Sequence, residues 1–103
     1  MDGFAVLWEY EIRTGAEQEF LRHYEPRGSW AALFARAEGY RETVLLVETG
    51  RPRTYVTLDR WVSEDAYRSF RARFAAEYEA LDAACERLTV RETGRGTYRD
   101  LGA

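Results

Sequence analysis

Few side chains in this 103-residue chain can do chemistry. His23 is its one histidine, and imidazole is the side chain that titrates near neutrality, so His23 is a candidate general base. It lies between Arg22 and Tyr24, off the face that Ala16, Phe20 and Tyr24 would bury, which equally suits a surface or interface residue. Cys85 is the one cysteine and falls on an apolar stripe, where a small core residue is expected. Asp59 and Arg60 are charged residues within a strand-like run. Neighbours along a strand face opposite sides, so the two cannot simply pair with each other. Asp59 shares the face of Tyr55, Thr57 and Trp61 and is a candidate to reach a cavity. Arg60 is expected to pair with a carboxylate such as Glu42 or Glu92.

What is missing narrows the chemistry further. All 15 basic residues are Arg; there is no Lys and no Asn. A lysine Schiff base and a phosphate-binding P-loop lysine are excluded. One His and one Cys cannot build a multi-histidine cage or a zinc-finger cluster within one chain, so no metal site is expected. A lone cysteine makes a reducing compartment the simpler reading. The net charge of −3 argues against a nucleic-acid footprint. No apolar run approaches the ~20 residues of a membrane span. Met1-Asp2-Gly3 lacks a basic signal-peptide start, which leaves the cytoplasm as the expected location.

The elements that must position these groups are legible as periodicity. Phe4, Val6, Trp8, Tyr10 and Ile12 alternate and predict a strand. Thr14 to Glu17 reads as a capping box for a helix carrying Ala16, Phe20 and Tyr24. Pro26-Arg27-Gly28 breaks it. Ser29 is expected to cap a second piece, with Trp30, Leu33, Phe34 and Ala37 on one stripe and Gly39 as its stop. Thr43–Val47 and Thr54–Val62 predict an antiparallel hairpin turned at Gly50-Arg51-Pro52-Arg53. Ser63 caps a long helix with the stripe Tyr67, Phe70, Phe74, Tyr78, Leu81, Cys85 and Leu88. Leu88–Tyr98 predicts a final strand, bulged at Gly94 or Gly96. The order is the split βαβ, α+β ferredoxin-like arrangement of one domain over residues 1–103, with two helices on one face of a four-stranded antiparallel sheet. The central strands are apolar on both faces, which predicts a second copy covering the helix-free face and hence a homodimer.

Several stretches together resemble the antibiotic biosynthesis monooxygenase family of dimeric α/β-barrel proteins. They are Gly15-Ala16-Glu17-Gln18-Glu19-Phe20 after the first strand, Trp30-Ala31-Ala32-Leu33-Phe34 before Gly39-Tyr40, and the run Tyr55 to Tyr67 with its strand-ending Trp61 and Ser-capped helix. Glu92, Gly94 and Tyr98 fit the family's last strand. The resemblance implies a barrel formed across a dimer and a cavity between sheet and helices in each subunit. It also implies a cofactor-independent oxygenase acting on an aromatic or polyketide-like small molecule, or else a non-catalytic small-molecule-binding module. By the same resemblance Tyr67 would handle a proton and Trp61 would pack or hydrogen-bond the substrate ring; His23 is a further catalytic candidate on its titration alone. Trp30, Phe34, Tyr55, Asp59 and Phe70 would contact substrate. The missing Asn, and a His outside the later helix, count against the haem-degrading branch. Core packing alone would also place Trp61 and Tyr67 where they stand.

Overall fold

The computed structural model describes residues 2–102. Four strands, β1 (Gly3–Ile12), β2 (Tyr40–Val47), β3 (Thr54–Trp61) and β4 (Thr89–Asp100), form one antiparallel sheet in the spatial order β2-β3-β1-β4. Helices α1 (Glu17–Tyr24) and α2 (Ser29–Phe34) link β1 to β2; α3 (Glu64–Arg73), α4 (Ala75–Cys85) and a 3-10 turn at Glu86–Leu88 link β3 to β4. This is the expected ferredoxin-like arrangement.

The period of two decides which side chains meet the helices. Phe4, Val6, Tyr10 and Ile12 of β1 and Thr57, Asp59 and Trp61 of β3 are buried on the helix-covered face. Antiparallel register sets Phe4 opposite Trp61, Val6 opposite Asp59, Trp8 opposite Thr57 and Tyr10 opposite Tyr55. The other face carries Leu7, Val44, Leu46, Val56 and Leu58, and no helix of the described residues covers it. There Leu46 and Tyr98 are 56% and 48% exposed. Arg60 also lies there, donating to Glu42 at 2.6 Å and to Asp100 at 2.8 Å. Glu42 is thus a partner, as expected, whereas the second carboxylate is Asp100 and not Glu92.

Trp61 has no exposed surface. Phe34, Tyr40, Tyr67 and Phe70 close around it with ring centroids 5.2–5.6 Å away, the first three edge-on. One residue thereby joins β2, β3, α2 and α3. The Ser63 cap is present: the Ala66 amide donates to Ser63 Oγ at 3.1 Å. The bulge in β4 falls where expected, its register shifting opposite Leu7 and Trp8 between Gly96 and Gly94.

Other local expectations are corrected. The Thr14–Glu17 capping box does not form. Gly15 takes φ +87° and the Ala16 amide bonds to Arg13 O, so a turn closes first and Ala16, without a polar side chain, stands at the N-cap. Gly28, not Ser29, is the N-cap of α2. The single long helix is two helices. Phe74, at φ −108° and ψ 28°, leaves helical geometry for one residue without a Pro or Gly to mark the break. β2 begins earlier than expected, at Tyr40, and β4 runs on to Asp100.

Gly39 fixes the approach of α3 to the chain entering β2. Its φ is +91°, and a Cβ there would stand 2.6 Å from Ala66 Cβ and 2.9 Å from Val62 Cγ2. Gly39→Ala should cost about 3 kcal/mol through strain and overpacking. Thermal unfolding should record this as a fall in Tm of roughly 10–20 °C. Gly15→Ala, also at positive φ but in open space, should cost only about 1 kcal/mol. Equal losses at the two positions would remove the steric part of the argument.

Candidate active site between sheet and helices

A small cavity of about 30 Å³ lies between the sheet and the helices. Its strand wall comes from Trp8 and Tyr10 of β1, Thr43 of β2, and Thr57 and Asp59 of β3; its helix wall includes Tyr24, Trp30, Phe34 and Tyr78. The volume suits one or two water molecules, whereas a dry cavity that holds benzene is about 150 Å³.

Asp59 is the carboxyl group in this cavity wall. It is 8% exposed, and Thr43 Oγ1 donates to its Oδ1 at 2.8 Å. Tyr40 Oη lies 2.8 Å from the same Thr43 oxygen, giving a chain Tyr40–Thr43–Asp59 that leads out to a half-buried phenol. Burial opposes the charged form and raises the Asp59 pKa to about 7; the Thr43 hydrogen bond offsets this in part. A carboxyl group so placed can hold or release a proton at neutral pH.

Phenols and an indole complete the polar lining. Tyr10 Oη and Thr57 Oγ1 are 2.9 Å apart. Burial raises the Tyr10 and Tyr24 hydroxyls well above the usual phenol range and pushes Tyr78 up to about 12, so all three remain neutral at pH 7. Trp30 Nε1 is buried with no hydrogen-bond partner of good geometry. Its polar neighbours are the Tyr24 hydroxyl and the Cys85 thiol.

Of the residues singled out from sequence, Asp59, Trp30 and Phe34 come together around this cavity. Trp61 and Phe70 lie behind Phe34 in the aromatic layer, and Trp61 Nε1 is buried without a partner. Tyr55 packs on Phe20 and directs its hydroxyl to Glu17 at 3.4 Å. Tyr67 is not in the cavity wall. It packs tilted against Phe4 and edge-on against Trp61, accepts a hydrogen bond from Arg71 at 3.0 Å, and lines a separate groove with Trp8. His23 lies outside both, its Nδ1 2.8 Å from Ser29 Oγ and its Nε2 4.0 Å from Glu19. Trp8, Tyr10, Tyr24, Thr43, Thr57 and Tyr78 were not identified from sequence as site residues. The alternation of β1 and β3 carried a signal for Trp8, Tyr10 and Thr57, but only the cross-strand register brings them beside Asp59. Among the described residues no cluster of three or more His, Cys, Asp or Glu could hold a metal ion.

The comparisons agree with this architecture. The antibiotic biosynthesis monooxygenase family model matches residues 3–87. A structure of SnoaB, a cofactor-independent oxygenase from Streptomyces nogalater, is 26% identical, with 95% of this chain and 92% of that one covered and a TM-score of 0.62. A putative antibiotic biosynthesis monooxygenase from Bordetella bronchiseptica has a TM-score of 0.78 at 16% identity, covering 98% of this chain and 99% of its own. A protein from Methanosarcina mazei has a TM-score of 0.73 at 19% identity, with 97% and 94% covered. No curated protein matches. Among the described residues, no helix is long and apolar enough to cross a membrane. With a family model spanning most of its length and a fold to match, the chain belongs to the antibiotic biosynthesis monooxygenase family.

Proposed function

We propose that this protein is a cofactor-independent monooxygenase acting on an aromatic or polyketide-like phenol. The observation that carries the reading is Asp59, a buried carboxyl with a pKa of about 7 in the wall of an aromatic cavity. Family membership and the likeness to SnoaB support it. The cavity is smaller than an aromatic ring, so binding requires its side chains to move.

In this reading ionised Asp59 takes the phenol proton, and Thr43 holds the carboxylate in place. The phenolate gives one electron to O₂, and the resulting radical pair joins through a new C–O bond to give a ring peroxide. Loss of the ring C–H proton and cleavage of the O–O bond release water and leave a quinone. One O₂ thus supplies one oxygen to the product and one to water, with the substrate as the reductant. Tyr67, whose hydroxyl accepts from Arg71, is proposed to handle a proton, and Trp61 to hold the aromatic wall. His23, with its Nδ1 at Ser29 Oγ and outside the cavity wall, is proposed as a further proton-transfer group.

The unsheltered apolar sheet face supports the proposal that two copies pair through it. The tightness of the cavity favours one second reading, a dimeric binding module of the same fold without turnover. Oxygen uptake with fused-ring phenols separates the two.

Asp59→Asn should lower oxygen uptake by about 100-fold or more. The wild-type rate should rise with pH to a plateau above about 7, and the variant should lose that rise. An unchanged rate would remove Asp59 from the mechanism. Tyr67→Phe and Trp61→Phe should also cut uptake while the protein stays folded; full activity in both would remove that assignment.

Stability gives a test independent of turnover. A raised carboxyl pKa means that the folded state binds the proton more tightly than the unfolded chain, whose value is about 3.9. The Asp59 contribution therefore falls as pH rises from about 4 to 7 and is flat above that. Urea midpoints should show Asp59→Asn gaining on wild type across this interval. Light scattering should report about twice the 12.0 kDa chain mass; a monomer at micromolar concentration would overturn the pairing.

A further inference from the structure

We infer that the Thr43 and Tyr40 hydroxyls form a proton relay between Asp59 and the open edge of the sheet, with Tyr40 as its outer end. The inference rests on Asp59 as the base of the oxygenase reading and supplies the path by which that base is reset.

A bulge in β2 builds the relay. Residues three apart in a regular strand face opposite sides of the sheet. Tyr40 and Thr43 are three apart, yet Tyr40 lies opposite Trp61 and Thr43 opposite Asp59, two positions on the helix-covered face of β3. The register shift between Tyr40 and Glu42 takes up the odd residue, Arg41. It leaves Tyr40 Oη 2.8 Å from Thr43 Oγ1, which is itself 2.8 Å from Asp59 Oδ1.

Burial makes such a path necessary. Asp59 and Thr43 are both buried, and Trp30, Phe34 and Tyr78 wall the cavity from the helix side. A second hydroxyl pair, Tyr10 with Thr57, also lines the cavity, but both members are buried in the two central strands and lead to no surface. β2 is an edge strand, and Tyr40 is only half-buried. The titratable groups around Asp59 are the phenols of Tyr10 on β1, Tyr24 on α1, Tyr40 on β2 and Tyr78 on α4, which burial keeps neutral at pH 7. Among the described residues, no other charged side chain lines the cavity.

The hydrogens can be followed one by one, because a hydroxyl has a single hydrogen to donate. Ionised Asp59 only accepts, so Thr43 donates to it and Tyr40 must donate to Thr43. When Asp59 holds a proton toward Thr43, both hydroxyls turn the other way. The carboxyl proton then passes to Thr43 Oγ1 as the Thr43 proton passes to Tyr40 Oη and the Tyr40 proton to water. Each O–H bond broken is matched by one formed, and Asp59 is again a carboxylate. Both hydroxyls are left pointing inward, which is the arrangement an ionised Asp59 requires.

The test releases protons with a light pulse into a solution poised above the Asp59 midpoint. Protonation of the carboxyl is followed by its infrared carbonyl band, identified by its loss in Asp59→Asn. Tyr40→Phe removes the outer hydroxyl but keeps the ring against Trp61, and should slow protonation by ~10-fold or more. Thr43→Val should slow it at least as much, whereas Thr43→Ser, which keeps a hydroxyl, should stay within about 3-fold of wild type. Circular dichroism checks that the variants fold. Equal rates in wild type and Tyr40→Phe, a Thr43→Ser as slow as Thr43→Val, or a Tyr40→Phe that moves the Asp59 midpoint and not the rate would each overturn the relay. A wild type without the band would overturn it together with the oxygenase reading. Slow protonation in Tyr40→Phe, with no oxygen uptake by wild type on fused-ring phenols, would sustain the relay and overturn the oxygenase reading. Oxygen uptake by wild type with equal protonation rates would overturn the relay alone.

Discussion

Trp61 must be kept dry, and the arrangement of the helices around the sheet follows from that. It stands at the end of a central strand with no exposed surface, and Phe34, Tyr40, Tyr67 and Phe70 shield it from three other elements. Each of these side chains is oriented by its own element: Phe34 closes α2, Tyr40 opens β2, and Tyr67 and Phe70 sit on the inner side of the Ser63-capped α3. Losing the indole would cost on the order of 3–5 kcal/mol. For a domain whose total stability is only about 5–15 kcal/mol, such a layer must be complete.

A carboxyl group two residues away meets the opposite demand. Asp59 points to the same face as Trp61, but toward the polar patch supplied by Thr43, Thr57 and Tyr10. Its hydrogen bond to Thr43 lowers the cost of burial without abolishing it, leaving a proton balanced near neutrality. The aromatic layer keeps bulk water away, and exclusion of water is what shifts the carboxyl. Packing and acid–base character therefore have the same origin here.

Much of the fold was legible because strands and cap motifs declare themselves locally. The alternation of Phe4 to Ile12, the turn at Gly50–Arg53 and the Ser63 cap all appear where the sequence puts them. The capping box at Thr14 failed because a positive-φ glycine follows it and delays the helix. The break at Phe74 was illegible for a different reason. The apolar stripe steps by three or four straight through it, so periodicity carries no trace of one non-helical residue. The site was legible where a residue violated its surroundings, as Asp59 does, and obscure where it obeyed them. Trp8, Tyr10 and Thr57 are ordinary strand residues, and only their register beside Asp59 makes them a cavity.

The break at Phe74 has a consequence for the helix layer. It divides the covering layer into two short rods, α3 with Tyr67 and Arg71 and α4 with Tyr78. Arg71 reaches from one rod to the ring of the other, so the guanidinium acts as a tie across the joint. The two rods are therefore joined twice, through the chain at Phe74 and through this side chain. The joint itself is packed, since Phe74 is buried and stacks on Phe70, so the break divides the layer without opening it.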